Sequence, residues 1–243
     1  MKYTTPTGTI YSLYREMSEQ THLLVAGATG SGKSVVINGI ISTLLFRLPG
    51  DCPNGVGFIL IDPKRVELAR YKSLPHTVKY ASEPREMVSA LVSAMQITES
   101  RYKKMQRHGQ LKYDGGDVYV VIDEFADLMT TQGNVVKPLI QRLAQIGRAA
   151  RVHIILATQT PIAKIIPTEI KCNFDSMVGL RTRSAQDSRN ILGVTGLEAL
   201  PRYGQGIFMT PEGDGLWNIP MVSDMEINRL LTHWKARRGI FKR

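Results

Sequence analysis

The sequence predicts an α/β protein built on a mostly parallel central sheet flanked by helices. Short β-branched runs recur with helical stretches between them, as in a chain that winds strand after strand through crossover helices. The runs are almost continuously apolar, which suits strands covered on both faces, whereas half-exposed antiparallel strands would alternate. Two polar motifs follow such runs directly, at the carboxyl ends where open parallel sheets collect ligands.

Taken in order, Leu23 to Ala26 reads as the first strand, then a glycine-rich turn and an apolar helical stretch from Val35 to Phe46. Gly57 to Ile61, Val118 to Ile122 and Val152 to Ala157 complete the sheet centre. Between them, Pro84 to Met105 carries Met87, Leu91, Met95, Thr98 and Tyr102 at three- to four-residue spacing, one apolar stripe on a long helix. A second helix is expected over Asn134 to Arg148, with Val136, Leu139, Ile140 and Leu143 on one side and Asn134 as its cap. Further strands are expected near Met177 to Leu180 and Gly206 to Met209, with a helix from about Ser184 to Leu192. Ser223 to Arg237 reads as a closing helix that buries Met225, Ile227, Leu230, Leu231 and Trp234.

Composition narrows the class. The 243 residues are 43% hydrophobic, enough for a sizeable core and too much for a disordered chain. Thirty-one Lys and Arg against 21 Asp and Glu leave a net charge of +10, a field that attracts nucleic acid or acidic lipid without choosing between them. The most apolar stretch, Val35 to Phe46, is interrupted by polar residues and falls short of the roughly 20 residues a membrane span needs. The first residues hold no apolar signal core. Cys52 and Cys172 fit no metal-ligand spacing and no disulfide framework. These features read as a cytoplasmic protein without its own membrane segment, for which a separate protein would supply any anchor.

The first polar motif is Gly27-Ala28-Thr29-Gly30-Ser31-Gly32-Lys33-Ser34, a match to G-x-x-x-x-G-K-[ST] between a strand and a helix. Such a P-loop wraps its backbone N–H groups around phosphates at a helix N-terminus. Lys33 is expected on the β- and γ-phosphates of ATP, and the Ser34 hydroxyl on Mg²⁺. The second motif is Asp123 and Glu124 behind the Val118 to Ile122 strand. Asp123 would order the magnesium shell, while Glu124 would polarise a water for attack on the γ-phosphate. Gln159, at the end of the Val152 to Ala157 strand, could sense the γ-phosphate or position that water.

Six segments then match one family in order: GATGSGKS at 27–34, LIDPKRVELARYKSLPH at 60–76, VIDEFADLM at 121–129, RLAQIGRAARVHIILATQTP at 142–161, IKCNFDSMVGLRTRSAQDSRNIL at 170–192 and LPRYGQGIFM at 200–209. The chain resembles the FtsK/SpoIIIE double-stranded DNA translocases. The resemblance implies a RecA-like P-loop NTPase (ASCE) core that assembles as a homo-oligomeric ring, commonly a hexamer, with duplex DNA in the pore and ATP between subunits. Residues 21–222 would form the motor, residues 1–20 an N-terminal extension with an edge strand, and residues 223–243 a closing helix and basic tail. Arg148 matches the family's arginine finger, with Arg142 and Arg151 close enough to substitute. Asp62 and Lys64 match its DPK motif and are expected near the nucleotide or the subunit interface. Lys171 and Arg189 align with basic pore-loop residues that touch DNA, and Arg181 and Arg183 add charge nearby. Two positions depart from the family: Thr160 stands where an arginine is usual, and Ala185 where a basic residue is usual. The reading is an ATP-hydrolysing ring motor that translocates double-stranded DNA, in chromosome partition, mobile-element transfer or phage genome packaging. A secretion ATPase of the same fold that engages protein substrates is the alternative, against which the +10 charge and the basic pore-loop positions argue.

Overall fold

The computed structural model describes residues 20–46 and 55–236. The basic tail beyond Ala236 and, but for Gln20, the expected N-terminal edge strand lie outside the described residues, as does Cys52. In chain order the elements are β1 (His22–Ala26), α1 (Lys33–Phe46), β2 (Val56–Ile61), β3 (Thr77–Ala81), α2 (Pro84–His108), β4 (Asp117–Ile122), α3 (Phe125–Ala150), β5 (Val152–Thr158), α4 (Thr168–Lys171), β6 (Ser176–Leu180), α5 (Ala185–Leu192), β7 (Gln205–Thr210), β8 (Gly213–Asn218) and α6 (Asp224–Ala236). They build one eight-stranded sheet of order β3-β2-β4-β5-β1-β6-β7-β8. From β3 to β6 every neighbouring pair is parallel, and β7 and β8 continue antiparallel.

Continuous apolar runs arise because alternate residues serve opposite faces. Leu23, Val25, Phe58, Leu60, Val121 and Ile155 join the core that holds α1 and α6. Leu24, Ile59, Ile61, Val120, Ile154 and Leu156 join the core that holds α2 and α3. Each fully buried aliphatic side chain contributes about 1.5–3 kcal/mol, so both faces must be covered at once for the strands to persist. Among the described residues no helix is long and apolar enough to cross a membrane.

Three expectations about helices need correction. The helix expected from Asn134 begins instead at Phe125, directly behind Glu124, so Asn134 caps nothing. A kink at Gln132 (φ −138°) separates its first two turns from the rest. Thr130 and Thr131 turn their hydroxyls back onto the carbonyls of Ala126 and Asp127, Gly133 follows, and Pro138 removes a donor one turn later, all of which weaken the helix there. In α6, Ile227, Leu231 and Trp234 are buried as expected, but Met225 is exposed and Leu230 only half-buried. Strands β3 and β8, which periodicity did not reveal, sit at the two sheet edges.

Gly147 lets the last turn of α3 lie directly on the start of β5, since a Cβ there would meet the Val152 carbonyl and the His22 ring. Gly147→Ala is therefore expected to cost about 1–3 kcal/mol of stability by overpacking. Urea denaturation of the variant measures it, and an unchanged midpoint would contradict this packing.

Candidate nucleotide site

The P-loop is fastened at its base to two strands beside β1. Gly27 N donates to Thr158 O at 3.4 Å and Ala28 N to Arg181 O at 2.8 Å, tying the loop to the end of β5 and to the residue after β6. Gly30 and Gly32 take φ of 73° and 103°, a backbone region that side-chain-bearing residues rarely adopt. Lys33 is buried, and its Nζ donates to the carbonyls of Gly27 and Ala28 at 2.8 and 2.9 Å. Burial lowers its pKa to about 8, against the pull of Glu124 and Asp123. Ser34 follows as the second residue of α1, where first-turn N–H groups have no intrahelical acceptor. The Ser31 hydroxyl is buried in the loop with no hydrogen-bond partner among the described residues.

Across the sheet centre the ends of β2, β4 and β5 bring carboxylates together. The parallel register of β2 and β4 pairs Ile61 with Ile122, which sets Asp62 beside Asp123. Asp62 is fully buried; its Oδ2 accepts from the N–H groups of Leu68 and Ala69, and its Oδ1 has no partner among the described residues. Glu124 is only 3% exposed. Its Oε1 accepts from Thr158 Oγ1 and Gln159 N, each at 3.1 Å, and its Oε2 pairs with Lys64 Nζ at 3.2 Å. The Gln159 side chain reaches the other way, its Oε1 accepting from Thr29 Oγ1 at 2.5 Å, so this residue bridges the P-loop and Glu124.

Asp123 carries the electrostatic consequence. Burial, reinforced by the charges of Asp62, Glu67 and Glu124, raises its pKa from 3.8 to about 6, with Lys64 opposing. A carboxylate so placed fits a cation. Mg²⁺ takes one or two protein oxygens and completes its shell with phosphate and water, so Ser34 and Asp123 suit it. Among the described residues no group of three or more His, Cys, Asp or Glu forms a metal cage by itself.

The structure thus brings together Lys33, Asp123, Glu124 and Gln159 and leaves Arg148 far away. Arg148 stands exposed in the last turn of the 26-residue α3, whose first residue follows Glu124. β5 starts just after Arg148 and its last residue, Thr158, bonds Glu124, so the two stand a strand length, roughly 20 Å, apart. Of the two neighbouring arginines, Arg151 is engaged: its Nε and Nη2 bond both oxygens of Asp117 at 2.8 and 2.6 Å. Arg142 is exposed.

The four basic residues expected on DNA fall in two places. Lys171 Nζ donates to Asn190 O at 2.9 Å, so it covers the end of α5 next to exposed Arg189, and burial lowers its pKa. Arg181 and Arg183 instead follow β6 beside the P-loop, and Arg183 lines a groove of about 250 Å³ with Thr29, Gln159, Thr160 and Asp187. Lys64 is the residue whose part the sequence left open; its partner is Glu124, a contact made only by the pairing of β2 with β4.

Comparison with known proteins gives the family and the fold. The family model described as FtsK/SpoIIIE matches residues 8–119 and 114–163. The chain is 34% identical to DNA translocase FtsK of Rhizobium meliloti (strain 1021), over 93% of this chain and 30% of that protein. It is 36% identical to DNA translocase FtsK of Rickettsia typhi (strain ATCC VR-144 / Wilmington), over 92% of this chain and 36% of that protein. The chain therefore spans about a third of the length of the curated relatives it matches. Among solved structures, the pCW3 conjugation coupling protein TcpA, monomer form with ATPγS, superposes with a TM-score of 0.76 at 23% identity, covering 89% of this chain and 66% of that one. The cytoplasmic domain of the type VII secretion ATPase EccC of Thermomonospora curvata gives 0.72 at 24% identity, covering 86% and 28%. The fold is that of P-loop ATPases.

The charges of the site set the pH response of the protein and the effect of removing Lys64. The Asp123 carboxyl binds its proton more tightly folded than unfolded, so its ionisation opposes folding as pH rises through about 4 to 6 and the cost is complete above that window. Asp123→Asn should raise the melting temperature of nucleotide- and metal-free protein at pH 8 by roughly 2–5 °C, a gain that shrinks toward pH 4; a gain independent of pH would contradict it. Lys64→Ala should lower ATP turnover about tenfold while ATPγS affinity stays within about threefold, because the lysine aims Glu124 and does not hold the nucleotide. Equal losses in both quantities would contradict that division.

Proposed function

The chain belongs to the FtsK/SpoIIIE family, and on that footing we propose that it is the motor domain of an ATP-driven DNA translocase, working as a ring of identical subunits. The observation that carries the ring reading is the place of Arg148. It lies at the opposite end of α3 from Glu124, so within one chain it cannot reach the site it would serve. A neighbour can. A guanidinium supplied across an interface neutralises charge that develops in the transition state, an effect worth about 10³–10⁵ in rate in related nucleotide hydrolases. Hydrolysis then depends on assembly.

Within the site the residues divide the chemistry. Lys33 and the loop N–H groups hold the β- and γ-phosphates, and Lys33 leaves the Gly27 and Ala28 carbonyls to do so. Ser34 and Asp123 hold the magnesium ion, which supplies Lewis-acid neutralisation of the phosphate oxygens. Glu124 takes the proton of the attacking water; Thr158, the Gln159 N–H and Lys64 hold its carboxylate in place. Gln159 links Glu124 to the loop through Thr29, so contact with the γ-phosphate alters both.

The substrate is duplex DNA, favoured by the +10 charge and by the exposed Arg189 beside Lys171. Backbone contacts carry no sequence information and can be remade at every step, as a motor requires. Turnover measured with and without linear duplex DNA, across protein concentration, tests class and assembly together. It should rise cooperatively with both, and DNA affinity should fall at least about tenfold between about 50 and about 200 mM salt. Stimulation by a peptide signal with indifference to DNA would instead make the protein a secretion ATPase. Lys33→Ala should abolish ATP binding or turnover, and Glu124→Gln should keep ATPγS binding and lose turnover; unchanged turnover in Glu124→Gln would overturn the hydrolytic assignment.

A further inference from the structure

The glycine-rich segment at 200–209 lies outside both nucleotide motifs, yet it places a cation on the P-loop. Leu200 N donates to Leu197 O at the end of a 3₁₀ turn, and Gly204 (φ 80°) accepts from Ile219 N at 2.8 Å. The short stretch between these anchors carries Arg202 and leads into β7, which pairs antiparallel with β6. Because Ala28 N bonds the Arg181 carbonyl just past β6, the stretch and the P-loop share one rigid support.

The Arg202 guanidinium rests against the bare Cα of Gly30. A Cβ at Gly30 would lie 3.4 Å from Nη2 and 3.8 Å from Nε. No carboxylate pairs with Arg202 among the described residues; its described contact is the ring of its neighbour Tyr203, 5.2 Å from the guanidinium carbon. A second cation is thus held at a loop that already carries Lys33 and a helix N-terminus; Lys33 has Glu124 and Asp123 near it, whereas Arg202 has no acidic partner among the described residues. Like charges at such a spot repel unless an anion lies between them. The loop residue next to Gly30 is Thr29, whose hydroxyl is bonded to Gln159.

We propose that Arg202 is a contact for the terminal phosphate of the bound nucleoside triphosphate, supplied by the same chain that supplies the P-loop. Its planar fork of donors suits phosphate oxygens in a bidentate manner that a lysine cannot reproduce. The proposal rests on the reading of the P-loop as a triphosphate site and deepens it by assigning discrimination between triphosphate and diphosphate to a residue outside both nucleotide motifs. Two arginines then act on different subunits. Arg202 reports in its own subunit that the terminal phosphate is present, and Arg148 acts on the neighbour's.

Equilibrium binding of ATPγS and of ADP to the wild type, Arg202→Ala and Arg202→Lys tests it. Arg202→Ala should weaken ATPγS about tenfold and ADP less than about twofold, with Arg202→Lys intermediate for ATPγS. The nucleotide-free melting temperature should not move, because the side chain is exposed. The loss should persist on dilution of the protein. ATPγS affinity unchanged in Arg202→Ala, or an equal loss for ADP, would overturn the assignment while leaving the P-loop reading intact. A loss that disappears on dilution would place the contact in a neighbouring copy and overturn it also. Wild type that binds neither nucleotide would overturn the P-loop reading and this inference together.

Discussion

A carboxylate taken almost wholly out of water needs donors on both oxygens, and the nucleotide side of this molecule is organised around meeting that need for Glu124. Thr158 and Gln159 approach from β5, Lys64 from the segment after β2, and the backbone position comes from β4. Only a parallel sheet whose neighbours are β2, β4 and β5 can present these groups at one height, since the carboxyl ends of all three must coincide. The same convergence crowds Asp62 and Asp123 against Glu124 and leaves the free protein short of positive charge there. A bound cation relieves that shortage. The crowding is a cost to stability of the kind that proteins carry at functional sites.

Positive charge is arranged by distance from this cluster. Lys33 and Lys64 are inside it, Arg202 sits on the rim at Gly30, and Arg148 is a strand length away. Arg151, nearest to Arg148 in the chain, is withdrawn from any such role by its bidentate bond to Asp117. That pairing also seats the end of α3 against the start of β4, which holds the last turn, and with it Arg148, in a fixed direction. Arg151 and the proposed finger Arg148 thus lie three residues apart and differ in whether a carboxylate among the described residues has claimed them.

How much of this was legible in the sequence depended on how local the signal was. The sheet centre could be read because residues such as Leu23 and Leu24, or Ile59 and Leu60, serve opposite covered faces and so give unbroken apolar runs. The edge strands Thr77–Ala81 and Gly213–Asn218 could not, because a half-exposed edge carries polar residues and glycine that look like loop. The first turns of α3 were hidden by Thr130, Thr131 and Gly133, residues that weaken a helix and here accompany its kink. The P-loop and the Asp123–Glu124 pair announced themselves, since each is contiguous. The Lys64–Glu124 bond joins residues 60 apart, and the Arg202–Gly30 contact depends on the β6–β7 pairing. Such contacts exist only once register is set, and no window of sequence contains them.

The central claim is that one chain holds the nucleotide and another completes the catalytic cleft. Mixing Glu124→Gln with Arg148→Ala chains, each inactive alone, measures it most directly. Turnover well above the sum of the two separate preparations is the result expected, because some interfaces then join an intact Glu124 to an intact Arg148. A mixture as inactive as its parts, in particles shown to contain both chains, would contradict the claim.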